Sequence, residues 1–130
     1  MASWQGVHHI RLPVANVEVT SDWFRSIFGF ETLLYEEAEE APVGAVLRHT
    51  SGVLIGLHQV EEPVISALEG FNILGLTAVD LSSWIDELER LGVSHGQVKT
   101  GLTGYFIEVP DPSGTVVQLH TEEQPNVEEG

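Results

Sequence analysis

Imidazoles and a guanidinium are the side chains of this 130-residue chain best suited to chemistry: His9 with Arg11 two residues beyond it, and His58 and His120 further on. Residues two apart on an extended strand share a face, so His9 and Arg11 project together. Imidazole exchanges protons near neutrality and binds divalent metals, which makes His9 and His120 the candidate general bases. A guanidinium beside His9 implies an anionic or hydrogen-bonded ligand group, or else a buried pair with a nearby Glu. Arg48 is a further candidate contact. Tyr105 and Phe106 straddle one strand, so one of them faces inward and can stack on a planar ligand; Tyr105 is taken as that residue. Glu108 lies on the same strand with its facing undecided. His8, His49 and His95 lack partners at ligand spacing and are expected on the surface or in turns. No cysteine, Gly-Lys-Ser phosphate loop or Gly-x-Ser-x-Gly elbow occurs, which removes thiol, phosphate-loop and serine-elbow chemistry.

The elements that must position these residues follow from hydrophobic period. His8 to Val14 alternates as a strand, with Ile10, Leu12 and Val14 on the face opposite His9 and Arg11. Asn16 caps a helix over Val17 to Phe28, whose Trp23, Phe24, Ile27 and Phe28 recur at helical spacing and are core rather than ligand contacts; Gly29 ends it. Strands are predicted at Phe30 to Tyr35, Ala45 to His49 and Val53 to His58, the last two joined by Thr50-Ser51-Gly52. A linker over 61–70 carries Pro63. The plan then restarts: strand Phe71 to Val79, a helix capped near Asp80 with Trp84, Ile85, Leu88 and Leu91 as its stripe, and Gly92 to end it. Strands Val93 to Val98, Tyr105 to Val109 and Thr115 to His120 follow, the last after the turn Asp111-Pro112-Ser113-Gly114.

The βαβββ order therefore occurs twice, as modules of about 7–60 and 71–121, with a polar tail over 122–130. The expected fold is α+β, a single domain of eight strands and two main helices, with two modules facing each other around a concave cavity. With 42% apolar residues the chain can build a core without disulfides. Its net charge of −15 repels phosphate backbones, which excludes nucleic-acid binding, and it suits a cationic ligand or simple solubility. Glu36, Glu37, Glu39 and Glu40 read as a solvated loop. No apolar run is long enough for a membrane span, and the lack of cysteine fits a cytoplasmic location.

The segments HHIRLPVANVEVTSDWFRSIFGFE and VPDPSGTVVQLH resemble the opening and closing signatures of the vicinal oxygen chelate superfamily, which holds glyoxalases, extradiol dioxygenases and bleomycin-resistance proteins. That resemblance covers about Val7 to His120. Metal-dependent members hold a divalent ion with four side chains, and the matching positions here are His9, Gly56, Leu74 and Gln118. Gly56 and Leu74 offer no lone pair, so the resemblance implies no bound metal and no cofactor. Strand parity leaves one alternative, a displaced metal site of His9, His58, His120 and Gln118.

What the resemblance implies is a metal-independent protein that sequesters an antibiotic or other natural product, aromatic or cationic, as a homodimer. The ligand-binding set is expected to be His9, Arg11, Arg48, His58, Leu74, Tyr105, Gln118 and His120. Two other readings stay open: a metal-dependent lyase, isomerase or dioxygenase on the displaced histidines, and a metal-free enzyme.

Overall fold

Asn16 sets where the first helix begins. In a computed structural model, which describes residues 1–123, its side chain accepts a hydrogen bond from the Val19 amide at 3.0 Å while its own backbone stays extended. The elements in chain order are β1 (Ile10–Val14), α1 (Val17–Phe28), β2 (Glu31–Glu36), β3 (Gly44–Arg48), β4 (Leu54–Gln59), α2 (Val64–Ala67), β5 (Asn72–Thr77), α3 (Leu81–Leu91), β6 (Lys99–Gly101), β7 (Gly104–Pro110) and β8 (Val116–Thr121). Both long helices occupy the stretches expected of them. Each stops at a glycine in left-handed backbone, Gly29 with φ 73° and Gly92 with φ 71°. Asp80 opens α3 by accepting from the Ser82 amide at 3.1 Å and from the Ser82 and Ser83 hydroxyls, each at 2.7 Å. Those hydroxyls hold the exposed Asp80 carboxyl below its ordinary range.

The chain divides into two units, one ending at Ile65 and the other beginning at Ser66. The first holds a four-stranded sheet in the order β1-β4-β3-β2, and the second repeats it as β5-β8-β7-β6. In each, the first strand runs parallel to the last and the remaining pairs are antiparallel. Helix α1 crosses β2, β3 and β4. Leu12, Ala45, Leu47, Ile55 and Leu57 form the sheet's side of that core, with Phe24, Phe28 and Phe30 also buried. Edge-to-face packing fixes the rings, with Phe24 and Phe30 centroids 5.4 Å apart. The Ser21 hydroxyl meets Thr32 at 2.6 Å, which ties α1 to β2. In the second unit α3 packs on β8, and Leu81, Leu88, Ile107, Val109, Val117 and Leu119 are buried.

Three expectations need correction. The first strand starts at Ile10, leaving His8 and His9 just before it. Residues 93–98 form no strand: Gly96 makes a single backbone bond to the Glu108 carbonyl at 2.9 Å, and pairing with β7 begins only at Lys99. A turn-forming Ser-His-Gly stretch has too little β preference to extend that ladder. The linker contains α2. The tail expected over 122–130 lies outside the described residues beyond Glu123. Among the described residues no helix is long and apolar enough to cross a membrane.

Register, rather than span, carries the functional consequences. The β2–β3 ladder shifts between Thr32 and Leu34, and the β5–β8 ladder shifts between Asn72 and Leu74. Each extra residue reverses which side chains face the helix from that point onward.

Candidate functional site

In-register pairs define one row across the first sheet, on the face away from α1: Arg11, Gly56, Val46 and Leu34. The neighbouring row is Pro13, His58, Gly44 and Glu36. From these rows Arg11, Gly56, Val46, Leu34, Gly44 and Glu36, with His8, His9 and Leu54, line a hollow of about 240 Å³. Glycine makes the hollow. A Cβ on Gly56 would meet only the His9 ring at 3.8 Å and the Ala45 carbonyl at 4.0 Å, so the space above it is free. The space above Gly44 is instead filled by the Glu36 carboxylate, 3.0 Å from where a Cβ would lie. Leu34 is 55% exposed on this face, an apolar side chain offered to a ligand or to water.

The polar groups lie at opposite edges of that hollow. Arg11, His8 and His9 are on the β1 side; Glu36 is on β2, three strand spacings away, or about 14 Å. The His8 and His9 rings approach Nδ1 to Nδ1 at 2.9 Å, a contact in which one nitrogen donates and the other accepts. Arg11 is exposed, so the alternative of a buried pair with Glu does not hold. Arg48 shares this face but sits on the flanking row opposite Leu54 and pairs with Glu31 at 3.5 Å; it does not line the hollow. His58 is exposed on the Gly44 row and likewise is not among the lining residues. The first unit thus brings together His9, Arg11 and Gly56 of the expected positions.

Leu34, Glu36, Gly44, Val46 and Leu54 line the same hollow and were not anticipated. Alternation along β3 and β4 was the available signal for Gly44, Val46 and Leu54. The shift between Thr32 and Leu34 hid it for β2, and Glu36 ends that strand rather than starting a solvated loop.

On the second sheet, Gly75, Gln118 and Glu108 form one row, and Thr77, His120, Phe106 and Lys99 the next. Two assignments change here. Leu74 pairs with Val117, not Gln118, and its 6% exposure places it in the core on α3's side. Tyr105 pairs with Thr121 on that same side, so Phe106 is the aromatic sharing a face with His120 and Gln118. Glu108 faces with them and binds Lys99 at 3.1 Å. His120 is held by the Thr103 hydroxyl at 3.0 Å. Of the other histidines, His49 sits at a turn and accepts from the Ser51 amide at 3.0 Å. His95, expected on the surface or in a turn, is instead half-buried, with its ring on the Gly96 carbonyl at 2.8 Å and 3.5 Å from Glu89.

The residues present do not fit a divalent ion. His9 is one donor; Gly56 has no side chain, Leu74 turns into the core, and the residue opposing Gln118 is Gly75. Within the first sheet His58 pairs with Pro13, four residues along from His9, a spacing of about 13 Å. Among the described residues no three His, Asp or Glu converge to hold a metal.

The sequence profile of the Glyoxalase/Bleomycin resistance protein/Dioxygenase superfamily matches residues 6–119. No curated protein matches the chain. Solved structures similar to it include UcmS2, at 16% identity and a TM-score of 0.75, covering 93% of this chain and 100% of that one. TnmS3, an antibiotic binding protein from Streptomyces sp. CB03234, aligns at 18% identity and TM-score 0.69 with the same coverage. FosX, a fosfomycin resistance protein of Listeria monocytogenes, aligns at 16% identity and TM-score 0.68, over 92% of this chain and 94% of its own. At such identities the likeness concerns the fold.

Proposed function

The chain belongs to the Glyoxalase/Bleomycin resistance protein/Dioxygenase superfamily, and from that premise we propose that it is a metal-independent small-molecule binding protein that sequesters an antibiotic or similar natural product. The observation carrying this reading is the glycine-floored hollow on the first sheet, with exposed Leu34 and half-buried Val46 and Leu54 around it, where metal-dependent members would need donors. A planar body laid over Gly56 covers those side chains and releases the water on them, at roughly 25 cal/mol per Å² of apolar surface. The likeness to TnmS3 supports an antibiotic as the first ligand class to try. A cytoplasmic homodimer completes the reading.

Two measurements test it. A thermal-shift screen of aromatic antibiotics should yield a ligand that stabilises the protein by about 2.7 kcal/mol at 100 times its Kd. Gly56→Leu should fold with stability within about 1 kcal/mol of the parent, because its Cβ meets only ordinary contacts, and should abolish that shift. Elemental analysis of protein purified without nickel resin or chelator should give below roughly a tenth of an equivalent of metal. Stoichiometric zinc, manganese, nickel or iron would replace this reading with a metal-dependent enzyme.

A further inference from the structure

Arg11 differs from every other cation of the chain. The sequence holds 20 acidic residues and 5 Lys or Arg. Four of these cations have carboxylate partners: Arg25 with Asp22 at 2.9 Å, Lys99 with Glu108 at 3.1 Å, Arg48 with Glu31 at 3.5 Å, and Arg90 with Glu87. Among the described residues, no carboxylate lies within 4.0 Å of the Arg11 guanidinium. In a chain this acidic, a surface arginine without a partner is the exception. Its place sharpens the point, because its row continues through Gly56, Val46 and Leu34 and offers apolar surface directly beside the cation.

Building on the binding function proposed above, we infer that the hollow takes a planar aromatic molecule bearing one anionic group, of the carboxylate, sulfonate or phenolate class. The anion sits on Arg11 and the rings lie over Gly56 and Val46. Glu36 fixes the orientation: at the β2 edge it would repel a second anion, so the ligand is anionic at one end only. The net charge of −15 opposes this assignment, since it repels anions at long range. Distance decides between the two effects. Distant carboxylates are screened over about 8 Å at physiological ionic strength, whereas a guanidinium in bidentate contact with the ligand acts well inside that length.

Two dyes of nearly the same shape test the inference: anilinonaphthalene sulfonate, which carries an anion, and phenylnaphthylamine, which does not. Fluorescence titrations of the full chain at about 0.15 M ionic strength should show the sulfonate binding at least ~10-fold tighter. Arg11→Gln should remove about that factor for the sulfonate and leave the neutral dye unchanged. Arg25→Gln, on α1, should change neither, and Gly56→Leu should abolish both signals. Equal affinities in the parent protein overturn the inference, as does an Arg11→Gln effect that is absent or the same for both dyes. Dye signals that survive Gly56→Leu also overturn it, because they place the dyes elsewhere. If the neutral dye binds without any anion preference, the binding function stands and only the anion assignment falls. If neither dye binds, the binding function falls and takes this inference with it.

Discussion

Two buried polar residues show how single positions in this chain resolve opposing terms. Thr20 is fully buried in α1, and its hydroxyl has no hydrogen-bond partner among the described residues. Replacing it by Val keeps the shape and removes an unsatisfied group, so Thr20→Val should raise stability by about 0.5–1 kcal/mol in urea denaturation. A loss of stability would mean that the hydroxyl has a partner after all. Asp111, at 7% exposure, presents the opposite balance. Burial pushes its carboxyl above the usual range, against hydrogen bonds from the Thr115 hydroxyl at 2.7 Å and the Ser113 amide at 2.8 Å. The folded state therefore keeps this proton to higher pH than the unfolded chain does. Its contribution favours the fold in acid and is lost as pH rises from 3.8 through the raised folded value. Asp111→Asn abolishes that titration. The stability of the parent minus that of the variant should fall across this window; a difference that stays flat would show the hydrogen bonds cancelling burial.

At the scale of elements, capping decides whether the repeated plan forms twice. Asn16 and Asp80 take equivalent places before α1 and α3, each in extended backbone with its side chain accepting an amide of the first turn. Asn16→Ala should cost about 1 kcal/mol, read as an earlier urea midpoint with unchanged slope. A changed slope would instead point to loss of two-state unfolding. These caps and the terminal glycines are local signals, which is why α1 was legible to the residue and α3 from its capping segment to Gly92. Strand ends were less so. Residues 93–98 alternate weakly and pair nowhere in a ladder, because β7 already has β8 on one edge and accepts β6 only from Lys99.

For the molecule as a whole, function depends on what each sheet leaves uncovered by its own helix. In the first unit that face has a guanidinium and imidazoles at one edge, glycine in the middle and a carboxylate at the other. In the second it has Gln118, His120, Phe106 and an internally paired Lys99 and Glu108. The repeat has therefore kept its scaffold while its two open faces have diverged. The screen for aromatic ligands and the paired dyes address this scale, since both read the assembled face rather than any one contact.

Sequence alone determined the βαβββ repeat, the two long helices and the absence of donors at Gly56, because period, caps and residue type are local properties. It also placed His9 and Arg11 together: both line the hollow, although His9 lies one residue before β1. The facing of Leu74 was decided by tertiary structure. From Asn72, parity puts Leu74 beside Gln118, and the inserted residue between them turns it into the core. The same holds for Leu34 and Glu36 beyond the shift in β2, and for Phe106 instead of Tyr105, which the pairing with His120 selects. Register is a relation between strands far apart in the chain, and a single bulge reverses it without changing the local pattern that the sequence displays.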